Sequence, residues 1–365
     1  MKQVSIDVVP SYEVKLAHGL IHQAGIHIQS LYDGNCEAKI AIISDETVSA
    51  FHAQALSDSL NQVGLKSQLF TVPAGEASKS YSQLAVLSSE LIKAGYDRSS
   101  LVIALGGGVV GDLAGFLAAI FYRGIPFVQI PTTIVSQVDS SVGGKTGINT
   151  PEGKNLIGAF HHPKLVLIDP DLLQTLESRE YLEGFAEVVK HAAIADEGML
   201  DILLSLKPES KDVSVDILTN NIKIKARIVE ADEKETSGQR AFLNLEHTIG
   251  HAIEASLPYG ELLHGEAIAI GIKAALWLSV QKSGLAQSQA DKVLSVLTHF
   301  KLDTVLPDRL NNEVSKALML EKLAYDKKFK AGKIQFVLLE ALGKPVLSDA
   351  VSIEDIKQAI NHISQ

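Results

Sequence analysis

Three histidines offer the plainest chemistry in this chain of 365 residues. His247 and His251 stand four apart in LNLEHTIGHAIEA, a segment without proline whose apolar residues recur at helical spacing. On a helix they fall one turn apart on the same face. His264 follows a Pro-Tyr-Gly turn and opens a second apolar helical run, Glu266 to Val280. A helix, a turn and a second helix bring this imidazole back beside the first pair. Imidazoles gathered this way suit a divalent metal such as zinc. HxxxH alone is a weak signal, because a histidine on a helix is usually a surface group or a satisfied core group. A third histidine and an available carboxylate strengthen it.

Glu187 supplies that carboxylate. It opens EVVKH in a helical run, with Lys190 and His191 on the same side and Phe185, Ala186, Val188 and Val189 as apolar neighbours. A Glu-Lys pair of this kind is ordinarily a surface pair of small value. Partial burial among apolar residues instead lets Glu187 complete an O,N,N set with His247 and His264, with positions open for substrate oxygens. Arg240, Asn244 and His251 share the helical region of these histidines, where a basic residue meets a phosphate or carboxylate.

These groups need elements to position them. The first half alternates strand-like and helix-like runs. Strands are expected at 39–44, 67–72, 101–105, 126–130 and 165–168, and helices at 48–62, 82–94 and through Phe121. This alternation predicts an α/β fold, a Rossmann-like doubly wound parallel sheet. After about Leu176 long helical runs dominate, at 179–194, 214–231, 243–255, 266–283 and 287–300, with a short strand in FVLLEALG. The expected division is therefore 1–177, a nucleotide-binding domain, and 178–365, a helical metal- and substrate-binding domain, with the site in a cleft between them.

The strand at Leu101 runs into GGGVVGD and a helix. Glycines there let backbone N–H groups approach a pyrophosphate at a helix N-terminus, although glycine turns also serve packing alone. Asp45 ends a strand, where it accepts hydrogen bonds from a ribose or simply forms an Asx turn. Glu76 and Lys79 lie in a loop that also reads as a capped helix start. The segment PTTIVSQVDSSVGGKTGINTPEGKN is rich in Ser, Thr and Gly and carries Lys145, Lys154 and Asn155. Hydroxyls, backbone amides and two lysines are what an anion site uses. Asp139 and the preceding strand place this segment at the sheet edge.

A net charge of −10 argues against nucleic acid as a partner. The lone cysteine, Cys36, excludes an internal disulfide framework and fits a reducing cytoplasm. The N-terminus alternates like a strand and lacks a signal-peptide core. The apolar run 101–121 is long enough to imitate a membrane span, but Asp112 and its glycines favour strand, turn and buried helix.

Together, GGGVVGDLAGF, YRG, IPTT, QVDSSVGGKTGIN, GKNLIGAF, EVVKH, HTIGHAIEA, LHGEA and DKK resemble the 3-dehydroquinate synthase family in order and spacing over nearly the whole chain. The resemblance implies an NAD- and zinc-dependent lyase, with Co2+ as an alternative metal. Its substrate is 3-deoxy-D-arabino-heptulosonate 7-phosphate (DAHP), and its products are 3-dehydroquinate and phosphate, in the shikimate pathway of aromatic amino acid biosynthesis. It also implies a cytoplasmic homodimer with no membrane partner. Carried over by motif, the metal ligands are Glu187, His247 and His264. The NAD contacts are Asp45, Glu76, Lys79, Gly107, Gly108, Val109, Val110, Gly111, Asp112, Thr132, Thr133, Asp139, Lys145, Lys154, Leu172, Leu173, Gln174 and Thr175. The substrate contacts are Arg123, Asp139, Lys145, Asn155, Lys190, Lys225, Arg240, Asn244, His251 and one of Lys327 and Lys328. Of these, Lys145, Lys190, Arg240, Asn244 and His251 carry the catalytic roles.

The departures are local. Glu246 stands before the first metal histidine, where the family usually has glycine. Gln239 replaces a usual leucine before Arg240, and the loop ahead of it is one residue longer. Glu246 either points to solvent, crowds the site, or orients His247 from behind. Rival readings are a metal-dependent polyol or alcohol dehydrogenase, a related sugar phosphate cyclase, and an inactive NAD- or metal-binding scaffold.

Overall fold

The computed structural model describes residues 1–32, 38–258, 260–325, 329–330 and 333–365. Cys36, Lys327 and Lys328 lie outside the described residues. The chain forms two compact units, one of residues 1–177 with 211–230 and the other of 178–210 with 231–365. The segment 211–230 thus groups with the first unit, whereas the sequence reading put everything after residue 177 in the second.

In the first unit the strands are β1 (Lys2–Ile6), β2 (Tyr12–Leu16), β3 (Ile40–Asp45), β4 (Ser67–Val72), β5 (Leu101–Gly106), β6 (Phe127–Pro131), β7 (Lys145–Thr150), β8 (Gly153–Phe160) and β9 (Leu165–Ile168). Seven of them form one sheet in the order β1-β2-β9-β6-β5-β3-β4. Only the β1–β2 pairing is antiparallel; the others are parallel. The N-terminal stretch expected as one strand is therefore a hairpin, broken where Pro10 cannot donate to the ladder.

Helices α1 (Ala24–Ser30), α2 (Glu46–Gln62), α3 (Tyr81–Lys93) and α4 (Gly108–Ile120) cover the sheet. The central strands are buried on both faces, which is why they read as unbroken apolar runs. Their side chains alternate: Ile40 and Ile42 pack with Leu56 and Leu60 of α2, while Ala41 and Ile43 pack with Leu87 and Leu113 of α3 and α4. The apolar run at 101–121 is β5, a glycine turn and buried α4. Among the described residues no helix is long and apolar enough to cross a membrane.

The Ser/Gly segment differs from expectation. It is a helical turn, Ser136–Ser140, followed by a separate antiparallel hairpin of β7 and β8, not part of the large sheet's edge. Gly147 and Gly158 let those strands close up: a Cβ on Gly158 would sit 2.1 Å from the Thr146 carbonyl oxygen.

The second unit holds α5 (Ser178–Glu183), α6 (Phe185–Ala195), α7 (Glu197–Ser205), α9 (His247–Glu254), α10 (His264–Lys282), α11 (Gln287–His299), α12 (Glu313–Tyr325) and α13 (Ile353–His362). The intervening α8 (Val215–Ala231) runs within the first unit's segment as far as Glu230. Short strands β10 (Phe329–Lys330) and β11 (Lys333–Ile334) pair, as do β12 (Phe336–Ala341) and β13 (Lys344–Ser348). The helix expected at 179–194 is two helices, because the chain turns at Gly184. Ile249 and Ile253 of α9 pack with Ala267, Ile270 and Ala274 of α10 in one apolar core. That core holds the helix bearing two histidines against the helix that begins with the third.

Candidate functional site

In the second unit, α6, α9 and α10 bring Glu187, His247, His251 and His264 together. The His247 and His251 rings meet edge to face with centroids 3.7 Å apart, and the His251 and His264 centroids are 6.0 Å apart. His264 Nε2 lies 3.4 Å from Glu187 Oε1. Two ligand atoms, each about 2.1 Å from a tetrahedral ion, sit about 3.4 Å apart, so this nitrogen and oxygen fit one cation without rearrangement. The donor set of one buried carboxylate and imidazole nitrogens suits zinc or cobalt.

Acidic residues that the sequence reading passed over surround this cluster. Glu254 Oε2 accepts from His251 Nδ1 at 3.2 Å and lies 3.6 Å from His264 Nδ1. It therefore stands behind both rings and orients them, leaving His264 Nε2 toward Glu187. Glu254 lies three residues after His251 and seven after His247, a spacing that puts it on the same helix face. Glu183 Oε2 accepts the Gly265 N–H at 2.5 Å and so fixes the first turn of α10, where His264 sits. Burial pushes the Glu183 carboxyl up to about 7, against the pull of His264 and of that N–H. Burial alone would lower the His264 pKa, but the Glu187 and Glu254 carboxylates hold it well above its ordinary value.

Glu246 does not point to solvent. It is buried, and Oε1 accepts from the Lys190 ammonium at 3.3 Å. Lys190 also pairs with Glu187, one turn earlier on α6. Arg240 is 2 % exposed and sits on a tight acidic loop. Its N–H donates to Asp232 Oδ2 at 3.1 Å, and Nη1 donates to the Glu233 carbonyl at 2.6 Å. Asp232 also accepts the Thr236 and Ser237 amides, bonds that hold its carboxyl well below the usual range. Asn244 is half-buried in the turn that leads from Arg240 to α9.

The first unit has its own polar network. Lys79, 5 % exposed, donates to Asp112 Oδ2 at 2.7 Å and to Asn155 Oδ1 at 2.6 Å. Asn149 donates to Glu76 Oε1 at 2.7 Å, and the Asn155 N–H donates to Asn149 Oδ1. The loop before α3, the first turns of α4 and the β7–β8 hairpin are thereby tied together. Burial raises the Asp112 carboxyl, and Lys79 opposes it. Gly107 precedes α4 with no side-chain cap on the helix's free N–H groups. A Cβ there would come 3.0 Å from Thr133, and one on Gly111 3.0 Å from Gln129, so these glycines also serve packing. The hydroxyl of buried Thr132 makes no hydrogen bond among the described residues. Uncapped amides beside a buried hydroxyl awaiting a partner fit a pyrophosphate.

Other expected contacts have structural work of their own. Asp45 Oδ1 caps α2 by accepting the Thr47 and Val48 N–H groups. Thr133 bonds Ser136, and Thr175 bonds the Leu172 carbonyl and His52. Leu172 and Leu173 are core side chains, with Val109 and Val110 in the first turn of α4 and Val110 buried. Gln174 donates to the Lys211 carbonyl. Lys225 pairs with Asp139 at 2.7 Å. Lys145 opens β7, Lys154 lies in β8, and Arg123 is exposed with φ of +70° after Tyr122 at +48°.

A doubly wound sheet unit followed by a helical unit that gathers a carboxylate and three imidazoles defines a dehydroquinate synthase-like fold. The same fold occurs in 2-epi-5-epi-valiolone synthase ValA from Streptomyces hygroscopicus, solved with NAD+ and Zn2+ bound; the TM-score is 0.85 at 27 % identity, covering 97 % of this chain and 96 % of that one. Within that class the family is specific. The 3-dehydroquinate synthase N-terminal model matches residues 69–183 and the C-terminal model residues 184–329. The 3-dehydroquinate synthase of Paracoccus denitrificans is 42 % identical, covering 96 % of this chain and 95 % of that protein. That of Caulobacter vibrioides is 43 % identical, covering 96 % and 94 %. The chain belongs to the 3-dehydroquinate synthase family.

Proposed function

We propose that the chain converts DAHP to 3-dehydroquinate and phosphate in the shikimate pathway, with a divalent metal on Glu187, His247 and His264 and NAD on the first unit. The observation that carries the metal assignment is the 3.4 Å approach of His264 Nε2 to Glu187 Oε1 inside a cluster of buried acids. When bound, NAD supplies a hydride acceptor that also returns the hydride, and the cation supplies a Lewis acid for substrate oxygens.

The chain's own residues bind, orient and move protons. Glu254 holds the proton on His251 Nδ1, which leaves Nε2 as the basic nitrogen for a substrate proton. Lys190, fixed by Glu187 and Glu246, presents a localised positive charge. Arg240, pinned by its loop, and Asn244 complete the second unit's polar groups for a carboxylate or phosphate. Among first-unit residues we assign substrate contacts to Arg123, Asp139, Lys145, Asn155 and Lys225. NAD contacts go to Asp45, Glu76, Lys79, the 107–112 turn, Thr132, Thr133, Asp139, Lys145, Lys154 and 172–175. Since Leu172 and Leu173 are core side chains, their contribution is through backbone.

We further place the protein in the cytoplasm as a homodimer. Exposed Ile120 and Tyr122 at the end of α4, and exposed Leu156 and Phe160 on β8, supply apolar surface for a second copy.

The test is phosphate release. Protein given DAHP, NAD and zinc releases phosphate without net NADH, and His264→Ala abolishes release and lowers bound metal. Stoichiometric NADH would refute the lyase and favour a dehydrogenase.

A further inference from the structure

Lys190 meets two carboxylates. Glu187 is within ion-pair reach on the same helix, and Glu246 Oε1, just before α9, is 3.3 Å away. All three side chains are at most 5 % exposed. The second oxygen of Glu246 is buried and makes no hydrogen bond among the described residues. Buried carboxylates are costly unless a cation answers each of them. Such an arrangement suits a place where a cation arrives. Glu187 faces both ways: one oxygen is on Lys190 and the other lies 3.4 Å from His264 Nε2. A cation between Glu187 and His264 draws the carboxylate's charge away from the ammonium. Lys190 would then be a buried cation losing its nearest partner.

We propose that Glu246 is a positioning residue that keeps the Lys190 ammonium anchored while Glu187 is engaged by the metal ion. The inference rests on the metal centre and the substrate contact of Lys190 proposed above. With its own anion, Lys190 does not compete with the ion for Glu187, and its charge stays where the substrate meets it. Glu246 thus affects two properties at once, the ion's affinity and the substrate's.

The test uses Glu246→Gln, which keeps the shape and removes the charge, and Glu246→Asp, which keeps the charge on a shorter arm. Metal-free protein, checked for native circular dichroism and melting, is titrated with Co2+ against a chelator. KM and kcat for DAHP are then measured at saturating Co2+. Glu246→Gln is expected to bind Co2+ about 10- to 100-fold more weakly. At saturating metal it raises KM about tenfold, the loss of one oriented charged contact. Glu246→Asp recovers part of both. Wild-type Co2+ affinity in Glu246→Gln overturns the inference. So does weakened Co2+ binding with an unchanged KM, because Lys190 is then not what Glu246 holds. A wild-type protein that binds no Co2+ overturns the metal centre itself, and the inference with it.

Discussion

Gly271→Ala tests whether the packing of α9 on α10 sets the metal centre. A Cβ at Gly271 would lie 2.7 Å from the Glu246 carbonyl oxygen and 2.9 Å from both Cα and N of Gly250. Ordinary Cβ contacts begin at 3.4 Å, so the shortfall is about 0.7 Å. The obstructing atoms are all backbone, so no side chain can rotate out of the way. The helices must separate or slide by most of that distance. One carries His247 and His251, and the other begins with His264. Overpacking of this kind costs ~1–3 kcal/mol. Replacing a helical glycine by alanine returns ~1 kcal/mol. The net loss is therefore ~0–2 kcal/mol, a melting decrease of a few degrees at most. Activity should suffer far more, because misplacement of catalytic groups by about 1 Å costs on the order of 100-fold. Gly250→Ala is the comparison: its Cβ would meet the Ala267 carbonyl oxygen at 3.3 Å, a shortfall of about a tenth of an ångström. Melting, Co2+ affinity and kcat are measured on both variants. A Gly271→Ala protein with wild-type kcat and metal affinity, or one no worse than Gly250→Ala, would refute the reasoning.

Glu183 makes the stability of the metal-free protein depend on pH. Its carboxyl is raised from 4.5 to about 7, so the folded state holds a proton that the unfolded state has lost in that range. The folded state binds more protons, so this contribution is full below 4.5 and is lost as pH rises through about 7. His27, His52, His161 and His362, lowered by burial, act in the opposite direction, so the difference between wild type and Glu183→Gln isolates the group. That difference in unfolding free energy, from urea titrations between pH 5 and 8, should move against wild type by on the order of 3 kcal/mol; a flat difference overturns the assignment. In the first unit, Lys79→Met leaves the buried side of Asp112 without its cation and cuts the tie to Asn155. It should destabilise the protein by ~3 kcal/mol and weaken NAD binding measured by calorimetry. Unchanged NAD affinity would remove Lys79 from the cofactor site.

Much of the first unit was legible because burial on both faces leaves a plain mark: β3, β5, β6 and β9 are short apolar runs ended by Asp, Gly or Pro. The β7–β8 hairpin left no such mark. Its glycines at 147, 153 and 158 interrupt the alternation of side chains, and close backbone approach replaces side-chain packing. The α5–α6 break was hidden because the apolar pattern continues across Gly184. Placement of α8 follows tertiary grouping that no local pattern records. The three clustered histidines were legible from spacing and from motif, but Glu183 and Glu254 beside them were not. Glu183 and Glu254 look like ordinary solvated helix residues until α5, α6, α9 and α10 are packed together. Glu246 had a readable signal as a departure from the usual glycine, and Glu254 had one in its fixed offset from two histidines on one helix.

Those acids also bear on what kind of centre this is. Among the described residues, Glu183, Glu187, Glu246 and Glu254 gather around His247, His251, His264 and Lys190. Carboxylates buried this deeply must have their charge answered by cationic side chains, by protons or by a metal ion. Burial and the neighbouring charges favour protons in the metal-free protein. Glu183 keeps a proton to about 7, and His264 keeps one well above its ordinary pKa because two carboxylates face it. A divalent cation held by Glu187 and His264 would take the place of the imidazolium proton and would relieve the same repulsion. The residue that departs from the usual glycine, Glu246, adds to the negative field and anchors its lysine without blocking the Glu187–His264 approach. On the proposal above it would change how firmly the ion and Lys190 are held, and would leave the proposed Glu187, His247 and His264 set in place.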